Sequence, residues 1–77
     1  MTIDEVRERD GKPIRFNVEG KEGVGILNCS ATEAKCQIVY GERQSSAQVS
    51  AVVDLTEAMI EAIEDEDGDL VLQWPEG

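Results

Sequence analysis

Three groups of residues in this chain have types and spacings that could do chemistry. They are Cys29 and Cys36, the carboxylates of "EDEDGD" (residues 64 to 69), and the glycines of "GKEGVG" (residues 20 to 25). Six residues separate the cysteines, wider than a zinc knuckle or a redox dithiol. With no histidine in the sequence, a tetrahedral zinc site would need carboxylates to complete it. The usual base for a serine or cysteine nucleophile is missing for the same reason. Neither cysteine has an activating neighbour, so in a reducing compartment both read as small, buried apolar side chains. A cross-strand disulfide or redox switch is the alternative. The glycines lack P-loop spacing and a following helix. Carboxylate pairs are plentiful, but a domain of 77 residues has little room for a pocket that would tune one of them. The expectation is a protein that is not an enzyme and holds no cofactor or metal.

Charge says more. The formal net charge is −10, with 17 acids and 7 bases. The bases all lie before Val53, whereas Asp54 to Gly77 holds nine acids and none. Seven bases spread through an acidic chain make no nucleic-acid-binding footprint. Met1 to Lys12 is too charged for a signal peptide, and no apolar run is long enough to cross a membrane. A cytoplasmic, single-domain protein spanning residues 1 to 77 is expected.

The elements that must position these groups follow from periodicity. Thr2 and Glu5 have capping-box spacing and open a short helical turn ending near Arg9. "PIRFNVEG" alternates, with Ile14, Phe16 and Val18 on one face, and "GKEG" reads as a turn into "VGILNCS". A turn at Ser30 to Glu33 leads into "AKCQIVY", and centring it on Thr32 and Glu33 sets Cys29 opposite Cys36. Gly41 to Ser46 reads as a polar connection and Ala47 to Leu55 as a fourth strand. These strands form an antiparallel meander long enough to curl into a small barrel or a strongly bent sheet.

Beyond Asp54 the period changes. Leu55, Met59, Ile60 and Ile63 make a helical stripe, Asp54 and Glu57 offer an N-terminal box, and Gly68 a left-handed stop. The expectation is a helix over Thr56 to Asp67, followed by "DLVLQW" as a last strand. The fold class expected is α+β, a sheet of four or five antiparallel strands with one main amphipathic helix near the C-terminus.

On that helix the acids are badly placed. Glu64, Asp65, Glu66 and Asp67 would crowd its C-terminus, where each costs on the order of 0.3 to 1 kcal/mol. Glu57, Glu61 and Glu64 would stack on one side and repel. Local rules tend to be broken where function asks for it. In one reading the run is a solvated surface that maintains solubility. In another it binds a cation, but aligned on Gly68 the calcium-loop pattern puts Ile63 at the first ligand position and Trp74 at the last. In the third, carboxylates about 5 to 6 Å apart imitate a nucleic-acid backbone and attract a basic groove. Glu57, Glu61, Glu64, Asp65, Glu66, Asp67 and Asp69 are then the partner-binding residues, forming one outward-facing ridge. Trp74 and Leu55 at the margins would add an apolar anchor or belong to the core.

Two resemblances bear on this. "RERDGKPIRF" followed by "GVGILNCSATEAKCQIV" resembles PilZ domains, which bind cyclic di-GMP on a small barrel. Arg7 and Arg9 stand for that family's arginine pair and Asn28 and Ser30 for the start of its second motif, where Glu33 replaces the glycine. By size and charge profile, the whole chain resembles small acidic phage inhibitors of the anti-CRISPR and anti-restriction kind. That likeness implies a non-enzymatic protein that blocks a basic surface, on a CRISPR effector or another DNA-binding protein. The alternative is a small barrel-like binding module, either a degenerate PilZ domain or a subunit of a larger assembly.

Overall fold

The alternation that marks the strands carries directly into the architecture. The computed structural model describes residues 1 to 75, with Arg43 and Gln44 described by their backbone alone. The chain runs α1 (Ile3–Arg7), β1 (Pro13–Val18), β2 (Lys21–Cys29), β3 (Cys36–Gln44), β4 (Ala47–Leu55), α2 (Glu57–Ala62), β5 (Glu64–Glu66) and β6 (Asp69–Trp74). Ile14, Phe16 and Val18 point to one face with Leu27, Ile38, Leu70 and Leu72, and all are buried. The helices cover that face with Val6, Met59, Ile60 and Ile63. Fully burying such a side chain contributes about 1.5 to 3 kcal/mol, so this layer of aliphatic residues drives the fold.

The capping box of α1 forms as the spacing predicts. The Glu5 N–H donates to Thr2 Oγ1 at 3.2 Å, and the Thr2 N–H donates to Glu5 Oε1 at 3.1 Å. The backbone and hydroxyl of Thr2 hold the Glu5 carboxyl below its usual range.

The first four strands form the expected antiparallel meander. The sheet as a whole differs from expectation: it has six strands in the order β4-β3-β2-β1-β6-β5 and is open, not curled into a barrel. It is also mixed, because β6 lies parallel to β1, with Ile14 opposite Leu70 and Phe16 opposite Leu72. A parallel neighbour requires a crossover, which α2 supplies by carrying the chain behind the sheet from β4 towards the far side of β1.

The expected main helix over Thr56 to Asp67 is not formed. α2 spans only Glu57–Ala62, capped by Thr56, whose Oγ1 accepts from the Met59 N–H at 3.2 Å. Ile63 turns extended (ψ 131°), and the acids that follow become β5. The penalty on carboxylates at a helix C-terminus favours this exit, because the helix ends before Glu64. The Met1 ammonium also donates to the carbonyls of Glu61 and Ile63, both at 3.0 Å, so a cation sits at that end.

Asp67 and Gly68 are not a helix stop but a two-residue hairpin turn. Both have positive φ (54° and 90°), the type I′ arrangement that Asp-Gly favours. Glu19 and Gly20 (52° and 85°) make the same turn between β1 and β2, one residue before the predicted "GKEG". β3 continues through the expected polar connection to Gln44, and the chain reverses at Ser45 and Ser46.

β2 and β3 pair only from Ile26 to Cys29, against Cys36 to Val39. Gly25 stands where they part: a Cβ there would come within 2.6 Å of Ile38 Cγ2 and 2.7 Å of the Val39 carbonyl oxygen. Beyond it, β3 and β4 continue as a two-stranded ribbon, with Tyr40 to Gln44 paired to Ala47 to Ala51. Side chains tie the ribbon back to the sheet. The Tyr40 ring packs 4.9 Å from Phe16, and Lys21 Nζ lies 3.7 Å from Glu42 and 5.9 Å from the Tyr40 centroid. Tyr40 first, and then Glu42, hold the Lys21 ammonium above its usual range. Among the described residues, no helix is long and apolar enough to cross a membrane.

Candidate interaction surface

Residues directly opposite in an antiparallel pair share a face, which decides where the acids go. Glu64 pairs with Val71, and Glu66 with Asp69, so these three acids lie on the sheet face opposite the helices. Asp65 pairs with the buried Leu70 and lies on the helix side, where its carboxylate meets Arg9 at 3.4 Å. Its other oxygen accepts from the Gly68 N–H at 2.8 Å, bracing the turn. Glu57 and Glu61 are exposed on α2, and Asp67 is exposed at the tip of the hairpin.

The single outward ridge expected of these seven residues is therefore not formed. A helix would have stacked them at intervals of three and four, but a strand alternates its side chains. The structure brings Glu64, Glu66 and Asp69 together on the open face and separates them from Glu57, Glu61 and Asp65. All are exposed to solvent.

The open face carries a second feature that periodicity had assigned no role. Register places Val71, Arg15 and Val24 in one row, and Ile26, Val39 and Val52 in another. Val24, Ile26 and Val52 are 62%, 46% and 50% exposed, because both helices lie on the other side. Next to β5, the face forms a shallow depression of about 550 Å³ lined by Arg15, Asn17, Glu22, Val24, Glu66 and Gln73. Arg15 reaches Asp69 at 3.9 Å across solvent, a contact worth little. Asn17 donates to Glu22 at 3.2 Å. The sequence signal for this face was available in Val24, Ile26, Val39 and Val52, apolar residues that alternate out of phase with the core.

Cys29 and Cys36 stand opposite each other across β2 and β3, as predicted, and both are free thiols. Cys36 is buried and Cys29 half-buried, its Sγ 3.8 Å from the Val6 carbonyl it donates to. Burial, with the Cys36 thiol beside it, pushes the Cys29 thiol up to about 12. A thiol held there is neutral at physiological pH and a poor nucleophile.

The residues matched to the PilZ motifs are occupied locally. Arg7 donates to the Ala31 carbonyl at 3.4 Å, and Arg9 donates to the Glu5 carbonyl at 2.8 Å as well as meeting Asp65. Ser30 Oγ accepts from the N–H groups of Thr32 and Glu33, closing the turn, while Asn28 is exposed on the open face. Leu55 is buried, and Trp74 is half-buried against the core. Among the described residues, no three His, Cys, Asp or Glu side chains gather to hold a metal ion. Comparison with protein-family models, curated proteins and solved structures found no significant match.

Proposed function

We propose that this is a non-enzymatic binding protein that presents the open face of its sheet to a basic protein surface and blocks it. The observation that carries the reading is the shared face: Glu64, Glu66 and Asp69 lie at its β5–β6 end, and beyond Val71 and Arg15 an exposed apolar strip of Val24, Ile26 and Val52 runs across β2 to β4. Acids at that end steer a basic partner in, and the apolar side chains beyond them hold it once water is excluded. A nucleic-acid-binding groove has the complementary character, which is why a CRISPR effector or another DNA-handling protein is the partner class proposed. The test is displacement of labelled duplex DNA from such a protein, followed by fluorescence anisotropy. Displacement should fall at least tenfold for Glu64→Lys/Glu66→Lys/Asp69→Lys, while Glu57→Lys/Glu61→Lys on the helix side stays near the parent. Equal loss in both variants would show that only total charge matters and would remove the open-face site.

A further inference from the structure

The sheet has a second unguarded element, and it lies away from the acids. β4 forms the outer edge over nine residues, and no charged residue occurs from Gln44 to Val53. Proline is absent from it as well. Edge strands usually carry lysine, proline or a bulge to prevent pairing with another chain, and this one has none of those over most of its length. Val49 lies on the same side of β4 as Leu55 but is 38% exposed, because the helices do not reach the ribbon.

We propose that β4 pairs antiparallel with β4 of a second copy of this chain, with Ala51 at the two-fold axis. Three observations favour a second copy over another occupant. First, the strand is self-complementary in that register. On the helix side Val49 falls opposite Val53 and Ala47 opposite Leu55; on the open side Ser50 falls opposite Val52. Second, the ribbon half of β4 in one copy receives the sheet-body half of β4 in the other. Each copy thus supplies the third strand that the two-stranded part lacks, and two-stranded ribbons are marginal alone. Third, charge permits it. A chain with a net charge of −10 repels its copy, but the acids of β5 lie at the far edge of the sheet. In the continuous sheet the two β5 strands stand roughly 50 Å apart, at about 4.8 Å per strand. That is several times the Debye length of about 8 Å at physiological salt.

An edge-to-edge contact is small, so the dimer is a weak one, to be sought by sedimentation equilibrium over ~10 to ~500 µM chain. At and above physiological salt its affinity should stay nearly constant, because the β5 acids of the two copies are already screened from one another, whereas salt weakens an acidic surface on a basic partner. The different salt dependence keeps a failure here distinct from a failure of the proposed function. Ser50→Lys/Val52→Lys sets four like charges around the two-fold and should abolish association. Ser50→Lys/Val52→Glu sets each new cation opposite a new anion of the other copy and should restore it. Circular dichroism confirms that each variant retains its sheet. A parent that stays monomeric at the highest concentration overturns the proposal. So does a dimer that survives Ser50→Lys/Val52→Lys, or one that Ser50→Lys/Val52→Glu fails to restore.

Discussion

The two edges of this sheet solve one problem in opposite ways. β5 is three residues long and wholly acidic, so another strand that approaches it meets three carboxylates. β4 is three times as long and uncharged until Asp54. An edge as short and charged as β5 is protected against strand addition; one like β4 is open to it. The comparison teaches that the chain's large negative charge is positioned as well as present, dense along one edge and reduced to Asp54 at the end of the other. The two proposals divide along the same line, with the basic surface assigned to one border and the added strand to the other.

Two substitutions and a titration sharpen this contrast, in descending order of expected effect. Gly25→Ala should destabilise by about 1 to 3 kcal/mol, since a methyl group there collides with Ile38 and the Val39 carbonyl. Its damage belongs to the β4 side, so hydrogen exchange should accelerate in β3 and β4 before β5 and β6. Uniform acceleration would mean that the two edges do not open separately. Gly68→Ala should cost roughly 1 to 2 kcal/mol, because only the left-handed conformation (φ 90°) opposes it and nothing lies within 4 Å of the new methyl. That loss should loosen β5 first. A change below a few tenths of a kcal/mol, by urea denaturation, would show that the hairpin does not hold this turn.

The third prediction concerns the β2–β3 junction between the edges. The Cys29 thiol is raised from 9.0 to about 12 in the folded chain, so folding favours its protonated form. The stability it contributes is complete below pH 9.0 and declines as pH rises towards about 12. Alkaline denaturation should therefore shift to higher pH in Cys29→Ala if packing is retained. Labelling of native protein by a thiol reagent near neutral pH should be slow, and fast in denaturant; prompt labelling of the native chain would contradict the burial described.

Local sequence was a good guide wherever one element's pattern sufficed. Ala47 to Leu55 was legible as a strand, Thr2 with Glu5 as a cap, and the facing of Cys29 and Cys36 followed from turn length. The helix beyond Thr56 is shorter than the pattern predicts, because the apolar stripe ends at Ile63 and the acids after it have no period of their own. Gly68 fits a left-handed helix stop by pattern, but Asp-Gly before an apolar strand is also a hairpin signal, and the hairpin is what forms. Four of the seven expected site residues, Glu64 to Asp67, leave the helix as a result. Glu64 and Glu66 share a strand face with Asp69, a grouping that a helix over Thr56 to Asp67 does not give, and Asp65 lies on the other side.

By itself the sequence determined the composition of the two edges, the alternation that builds the core and the turns that join neighbouring strands. These depend on residues a few positions apart, whose side-chain directions follow from backbone period alone. Only the tertiary structure decided that β6 lies parallel to β1, that Arg9 meets Asp65, and that both helices cover the same face. Each of these joins residues distant in the chain, and the free energy that selects them comes from burying one shared apolar layer. No local pattern reports which of two sheet faces that layer will occupy, or what is left bare on the other.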